Sequence, residues 1–224
     1  AGDAPAFSID DAATTEIDDA FSVIFRPDGG ARVGIHIAAP ALGILPGSDL
    51  DRLAEIRLST VYTPAEKFTM LPEDLIAQYT LAENRDCPAL SLYLEVGPDY
   101  GIESLSTVAD RVSIAANLRH DTLEPLFNEH TIGQPTPDYP FRRELEWLFG
   151  FARALEAGRG KAEQAQREDY VFRVQDEHVV ISSRARGNPI DKLVSELMIL
   201  TNNRWGELLA ERDVAGVYRA QTGG

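Results

Sequence analysis

Five carboxylates, Asp10, Asp11, Glu16, Asp18 and Asp19, fall within ten residues near the start of this chain. Like charges held this close repel, and the physical remedies are a shared proton or a bound cation. Hard oxygen donors suit Mg²⁺, which takes one or two carboxylates, several waters and substrate phosphate oxygens. The chemistry indicated is a magnesium site acting on a phosphate ester. Acidic runs also occur as solvated linkers or as the capped starts of helices. The flanks argue against both. Ala6-Phe7-Ser8-Ile9 and Ala20-Phe21-Ser22-Val23-Ile24-Phe25 alternate in the manner of strands, so the acidic loop is fixed at both ends. An EF-hand does not match, because its turn glycine and spaced terminal Glu are missing.

Several elements must hold that loop. Ala20 to Ala38 reads as a hairpin, turning at Pro27-Asp28-Gly29-Gly30, and His36 within its second strand is expected in the core or half-buried rather than catalytic. A helical stretch around Ala54 and Arg57 follows. Leu90 to Val96 and Ile102 to Ile114 read as two long strands around Gly97-Pro98-Asp99-Tyr100-Gly101. Leu118 to Phe127 is expected to be helical, His130 to Pro140 a loop, and Phe141 to about Ala157 an amphipathic helix whose Trp/Phe stripe packs in the core. Gly158 to Asp169 is polar and expected to be mobile, Tyr170 to Ser183 forms another hairpin, and Ile190 to about Arg212 carries the longest helical pattern, with Asn188 and Pro189 as its start signal.

At 224 residues the chain can bury a substantial core in one domain or two, and 44% hydrophobic residues fit a globular protein. No apolar run approaches the length of a membrane span, and no signal peptide is visible, although a chain that opens with Ala is consistent with trimming. The single Cys87 excludes an internal disulfide and a cysteine zinc site, and fits a reducing cytoplasm. The net charge of −15 runs against the basic face that nucleic-acid binders show. Its distribution softens the conflict. Residues 1–110 hold 19 acids and 6 bases, whereas residues 111–224 hold 17 acids and 15 bases.

The acidic stretch resembles the opening motif of the ribonuclease II (RNB) family of 3′→5′ exoribonucleases, an "I-D" followed after a short loop by an acidic residue, an apolar one and "D-D-A". Here these are Ile9-Asp10 and Glu16-Ile17-Asp18-Asp19-Ala20, with Glu16 where the family usually has Asp. Further motifs follow in the family's order: His36-Ile37-Ala38, Gly47-Ser48-Asp49-Leu50-Asp51, Ser59-Thr60-Val61-Tyr62-Thr63-Pro64, Met70-Leu71-Pro72 and Arg85 after Thr80-Leu81. The helix Val194-Ser195-Glu196-Leu197-Met198-Ile199-Leu200-Thr201-Asn202 resembles "V-x-E-x-M-I-x-x-N", and Val217 to Ala220 resembles a following short strand. Besides Glu16, two positions depart: Ala39 replaces the Asp of "H-I-A-D", and His120 stands where "L-T-Y" places a Tyr.

The resemblance implies an α+β fold, mixed or antiparallel sheets packed with helices, in which residues 1–224 form the first part of an RNB catalytic domain. An arginine-bearing "S-P-I-R" segment and flanking OB-fold domains would lie outside it. It implies processive 3′→5′ hydrolysis of single-stranded RNA to nucleoside 5′-monophosphates, in the cytoplasm, by an enzyme expected to be monomeric. Asp10, Asp18 and Asp19 would be catalytic, and these three with Glu16 would hold two Mg²⁺ or Mn²⁺ ions, with Asp18 a ligand of the second ion or the group orienting the nucleophile. Tyr62, Arg85, His120 and Glu196 would contact RNA. Glu16 displaces its carboxylate by one methylene, which predicts weaker Mg²⁺ activity and better tolerance of Mn²⁺, tested by Glu16→Asp. Two other readings stay open: an RNB-like RNA-binding protein that has lost turnover, supported by Glu16, Ala39 and His120, and another acidic-cluster metal phosphodiesterase acting on small molecules.

Overall fold

The computed structural model describes residues 4–135, 138–160, 168–176, 178–185 and 187–218. The alternating segments at the start form β1 (Ala6–Asp10), β2 (Asp19–Phe25) and β3 (Ala31–Ala38). The β2–β3 turn closes where expected: Arg26 N donates to the Gly30 carbonyl at 2.8 Å, and Gly29 takes φ of +89°. After a 3₁₀ turn, Ser48 caps α1 (Asp49–Arg57) by accepting from Asp51 N. The small hairpin β4 (Val61–Tyr62) and β5 (Lys67–Phe68) leads to α2 (Glu73–Tyr79).

The long strands β6 (Arg85–Val96) and β7 (Ile102–Arg119) complete a closed five-stranded barrel in the order β1-β2-β3-β6-β7. All neighbours run antiparallel except β7 and β1, which pair parallel. One strand makes the closure possible. Residues 102–114 of β7 pair with β6, and the same strand then continues alongside β1, setting Leu118 against Ile9 and Arg119 against Asp10. This corrects the helix expected from Leu118. Only His120–Leu123 is helical (α3), because pairing with β1 overrides the local pattern.

Period two decides what each strand face does. Phe21, Ile35 and Leu92 form one cross-strand row, and Val23, Val33 and Leu94 the next. Against these pack α4 (Arg142–Arg159), through Leu145, Leu148 and Phe151, and α5 (Pro189–Glu211), through Ile190, Leu193 and Leu197. Each such side chain contributes roughly 1.5–3 kcal/mol on burial. Asn188 caps α5 by accepting from Asp191 N, with Pro189 in the first turn. The other strand face is built from smaller groups: Ala6, Ala20, Cys87 and Ala89 join Val112, Ile114, Leu81 and Ile17.

The last hairpin, β8 (Glu168–Gln175) with β9 (His178–Ala185), forms a separate two-stranded sheet. Helix α4 runs two residues past the expected end, and residues 161–167 of the polar stretch lie outside the described residues. Of the expected strand from Val217 to Ala220, Val217 and Tyr218 are not in a strand. Tyr218 instead turns back to donate to the Gly206 carbonyl of α5, and Arg219 and Ala220 lie outside the described residues.

Candidate active site

The acidic residues lie at the mouth of the β1–β2 connection, with Asp10 the last residue of β1 and Asp19 the first of β2. Ile17 orients the loop between them. Its side chain is buried beside Leu81, its N–H donates to Thr80 Oγ1 at 2.7 Å, and its carbonyl accepts from Leu81 N at 2.9 Å. With Ile17 anchored inward and Ala38 N donating to the Asp18 carbonyl at 2.8 Å, Glu16 and Asp18 emerge on either side of it. Two residues of β7 brace the arrangement. Arg119 Nη1 donates to the carbonyls of Asp11 (2.9 Å) and Thr14 (3.2 Å). Asn117 Nδ2 donates to Ser8 Oγ at 2.9 Å, and Ser8 Oγ donates in turn to Asp10 Oδ2 at 2.6 Å.

The carboxylates feel one another. Burial pushes the Asp19 pKa from the ordinary 3.8 up to about 7, with Asp10 and Asp18 adding to the rise. Asp10 is raised by burial and by Asp18 and Asp11, against the pull of the Ser8 hydrogen bond and of Arg119. Asp18 is raised by burial and Glu16, against Lys67. Asp19 Oδ2 is buried and has no hydrogen-bond partner. An orphaned carboxylate oxygen, hard donors and mutual repulsion fit a divalent cation. Among the described residues no three acidic, His or Cys side chains form a ready-made cation cage. The fit is therefore to an ion that keeps waters and substrate oxygens around it, as Mg²⁺ does.

Glu16 departs from this group. Its Oε1 lies 2.7 Å from Lys67 Nζ, an ion pair outside hydrogen-bonding alignment, while Nζ donates to Thr15 Oγ1 at 2.9 Å. Tyr62 is 72% exposed and sits opposite Lys67 on the β4–β5 hairpin, so its ring is free to stack. His120 follows Arg119 directly and approaches Glu124 Oε1 at 3.6 Å. Arg85 donates to the carbonyls of Ala77 and Gln78 and so closes the end of α2. Glu196 is 1% exposed and held by the Arg159 guanidinium, a structural ion pair. The fold brings Asp10, Asp18 and Asp19 together, with Glu16 at their edge. Neither Arg85 nor Glu196 has a contact with them.

His36 is buried as expected. Ser91 Oγ donates to Asp110 Oδ1 at 2.7 Å, so it accepts from His36 Nδ1–H, and His36 Nε2 accepts from Ser22 Oγ at 2.9 Å. Burial lowers the His36 pKa to about 4 against the pull of Asp110, and the ring is a neutral structural element. Ser8, Asn117, Arg119 and Lys67 escaped the sequence reading. Period two could have put Ser8 on the face of Asp10. Lys67, 51 residues from Glu16, carries no local signal.

The barrel thus carries its clustered carboxylates at one rim, between the end of β1 and the start of β2. The RNB domain model matches residues 2–223, and the chain belongs to this family. It is 27% identical to Exoribonuclease 2 of Vibrio vulnificus over 98% of its own length and 34% of that protein. The chain thus spans about a third of the length of the curated relatives it matches. Its fold matches Mycoplasma genitalium RNase R in complex with ribose-methylated single-stranded RNA (TM-score 0.81, 17% identity, 95% of this chain and 33% of that one). It also matches an active-site mutant of the Dss1 exoribonuclease from Candida glabrata (TM-score 0.82, 25% identity, 99% of this chain and 32% of that one). Among the described residues no helix is long and apolar enough to cross a membrane.

Proposed function

We propose that this chain supplies the cation-binding part of a 3′→5′ exoribonuclease that hydrolyses single-stranded RNA to nucleoside 5′-monophosphates. One observation carries the reading: Asp10, Asp18 and Asp19 converge at the barrel rim with an oxygen of Asp19 buried and unpartnered. Asp10 and Asp19 would hold the ion, Mg²⁺ or Mn²⁺. When bound, the ion supplies charge neutralisation and Lewis-acid polarisation of a phosphoryl oxygen. Asp18 is exposed and its pKa is raised, so it is suited to accept a hydrogen bond from the attacking water and orient it. Ser8 and Asn117 hold Asp10 in place, and Arg119 holds the loop backbone. Tyr62 offers a face on which a base can stack, and stacking tolerates any base. The remaining RNA contacts, OB-fold domains among them, belong to the other two thirds of such a protein, which we expect to act as a cytoplasmic monomer.

The test uses the full-length protein with 3′-labelled single-stranded RNA and Mg²⁺ or Mn²⁺. Labelled mononucleotide should appear first, and Asp19→Asn should reduce its release at least about 100-fold, a loss of about 2.7 kcal/mol of transition-state stabilisation. Retardation of intact RNA without release would support a binding protein, a reading favoured by Lys67 on Glu16 and by Ala39, which offers no carboxylate. Hydrolysis of a generic small phosphodiester, with indifference to RNA length, would overturn both.

A further inference from the structure

The Glu16 carboxylate is already occupied by a cation of the protein's own. Lys67 Nζ stands 2.7 Å from Glu16 Oε1, with the two side chains only 28% and 16% exposed. The same ammonium donates to Thr15 Oγ1 at 2.9 Å, which ties it to the acidic loop at two points. Its position is built in. Thr63 clasps Glu66 across the β4–β5 turn through Thr63 N and Oγ1 to the Glu66 carbonyl and Glu66 N to Thr63 Oγ1. Arg57 Nη1 donates to the Thr69 carbonyl and Met70 N to Thr60 Oγ1, which secures the hairpin on both sides. A Glu arm reaches one methylene further than an Asp arm, and here it reaches Lys67.

A lysine ammonium is a compact point charge, so it can stand where a small metal ion would. For Glu16 to ligate Mg²⁺ at about 2.0–2.1 Å it would have to release Lys67 and leave that ammonium part-buried without its partner. We propose that the Lys67 ammonium takes the place of one divalent cation at the edge of this site, so that Glu16 is not a metal ligand and Asp10 and Asp19 hold a single ion beside Asp18. The inference rests on the cation-site reading above and replaces the pair of ions expected from the sequence.

The experiment is Mn²⁺ binding to the full-length protein, read by the electron paramagnetic resonance of the free ion. Wild type should bind one Mn²⁺, and Asp19→Asn should lose it. Glu16→Gln should keep that one ion with a Kd changed by less than about fivefold. Lys67→Met should free Glu16 and either bring in a second Mn²⁺ or tighten the first by about fivefold or more, an effect that the added Glu16→Gln should cancel. Lys67→Arg, which keeps the charge, should still bind one. The proposal is overturned if wild type binds two ions, if Glu16→Gln weakens Mn²⁺ by about fivefold or more with Lys67 present, or if Lys67→Met changes neither number nor affinity. A wild type that binds no Mn²⁺, or an Asp19→Asn variant that binds it unchanged, defeats the cation-site reading itself.

Discussion

Asp19 carries an electrostatic cost in the cation-free protein. Its folded pKa, about 7, lies above the 3.8 of an ordinary carboxyl, so the folded state holds a proton that the unfolded chain has released. Stability from this group is complete below about pH 3.8 and is lost as pH rises toward 7. Asp10 and Asp18 shift in the same direction and add to the trend. Thermal unfolding of metal-free protein should therefore show Tm falling between pH 5 and pH 7.5, with Mg²⁺ restoring it at the upper end. Asp19→Asn removes the charge at constant shape and should flatten the profile. A Tm that is level with pH in wild type would show that the carboxylates are not coupled as the geometry indicates.

The loop is only as well placed as the strands beneath it. Asn117 reaches Asp10 through Ser8, so Asn117→Ala should lower kcat about tenfold or more by loosening Asp10, with a far smaller fall in Mn²⁺ stoichiometry than Asp19→Asn gives. The β2–β3 pair depends on a glycine. A Cβ at Gly34 would come within 2.6 Å of His36 Nε2 and also crowd Ser22 Oγ, the two groups of a buried hydrogen bond. Gly34→Ala should cost about 1–3 kcal/mol in urea unfolding, as overpacking does. A neutral result would mean that the Ser22–His36–Ser91 chain has room to shift.

Across the whole molecule, the helices cover the barrel and enclose the Arg159–Glu196 ion pair. Glu196 of α5 is enclosed and satisfied by Arg159 at the end of α4. Arg159→Met alone should cost about 3–5 kcal/mol, because it leaves a buried carboxylate unpaired, and adding Glu196→Leu should recover most of that loss. Equal stabilities for the single and double variants would argue that Glu196 is free to serve another role. Much of this scale was legible beforehand. The helix from Ile190, the hairpin across Pro27 to Gly30 and the acidic cluster all follow from local period, turn chemistry and composition. The end of β7 was not legible, because Leu118 and Arg119 are strand only by virtue of β1, more than a hundred residues earlier.

By itself the sequence determined which residues could do chemistry, the β2–β3 hairpin, the long strands and the two long helices around them, and the family pattern that joins Asp10 to Asp18 and Asp19. Those are local properties, set by residue type and spacing along the chain. Only the tertiary structure decided that Asp19 Oδ2 lies buried without a partner, that Arg119 and Asn117 brace the loop, that Glu196 is spent on Arg159, and that Glu16 faces Lys67. Each of these depends on segments distant in sequence meeting across the closed barrel or between packed helices. Charge and burial act through space, and distance along the chain does not report them.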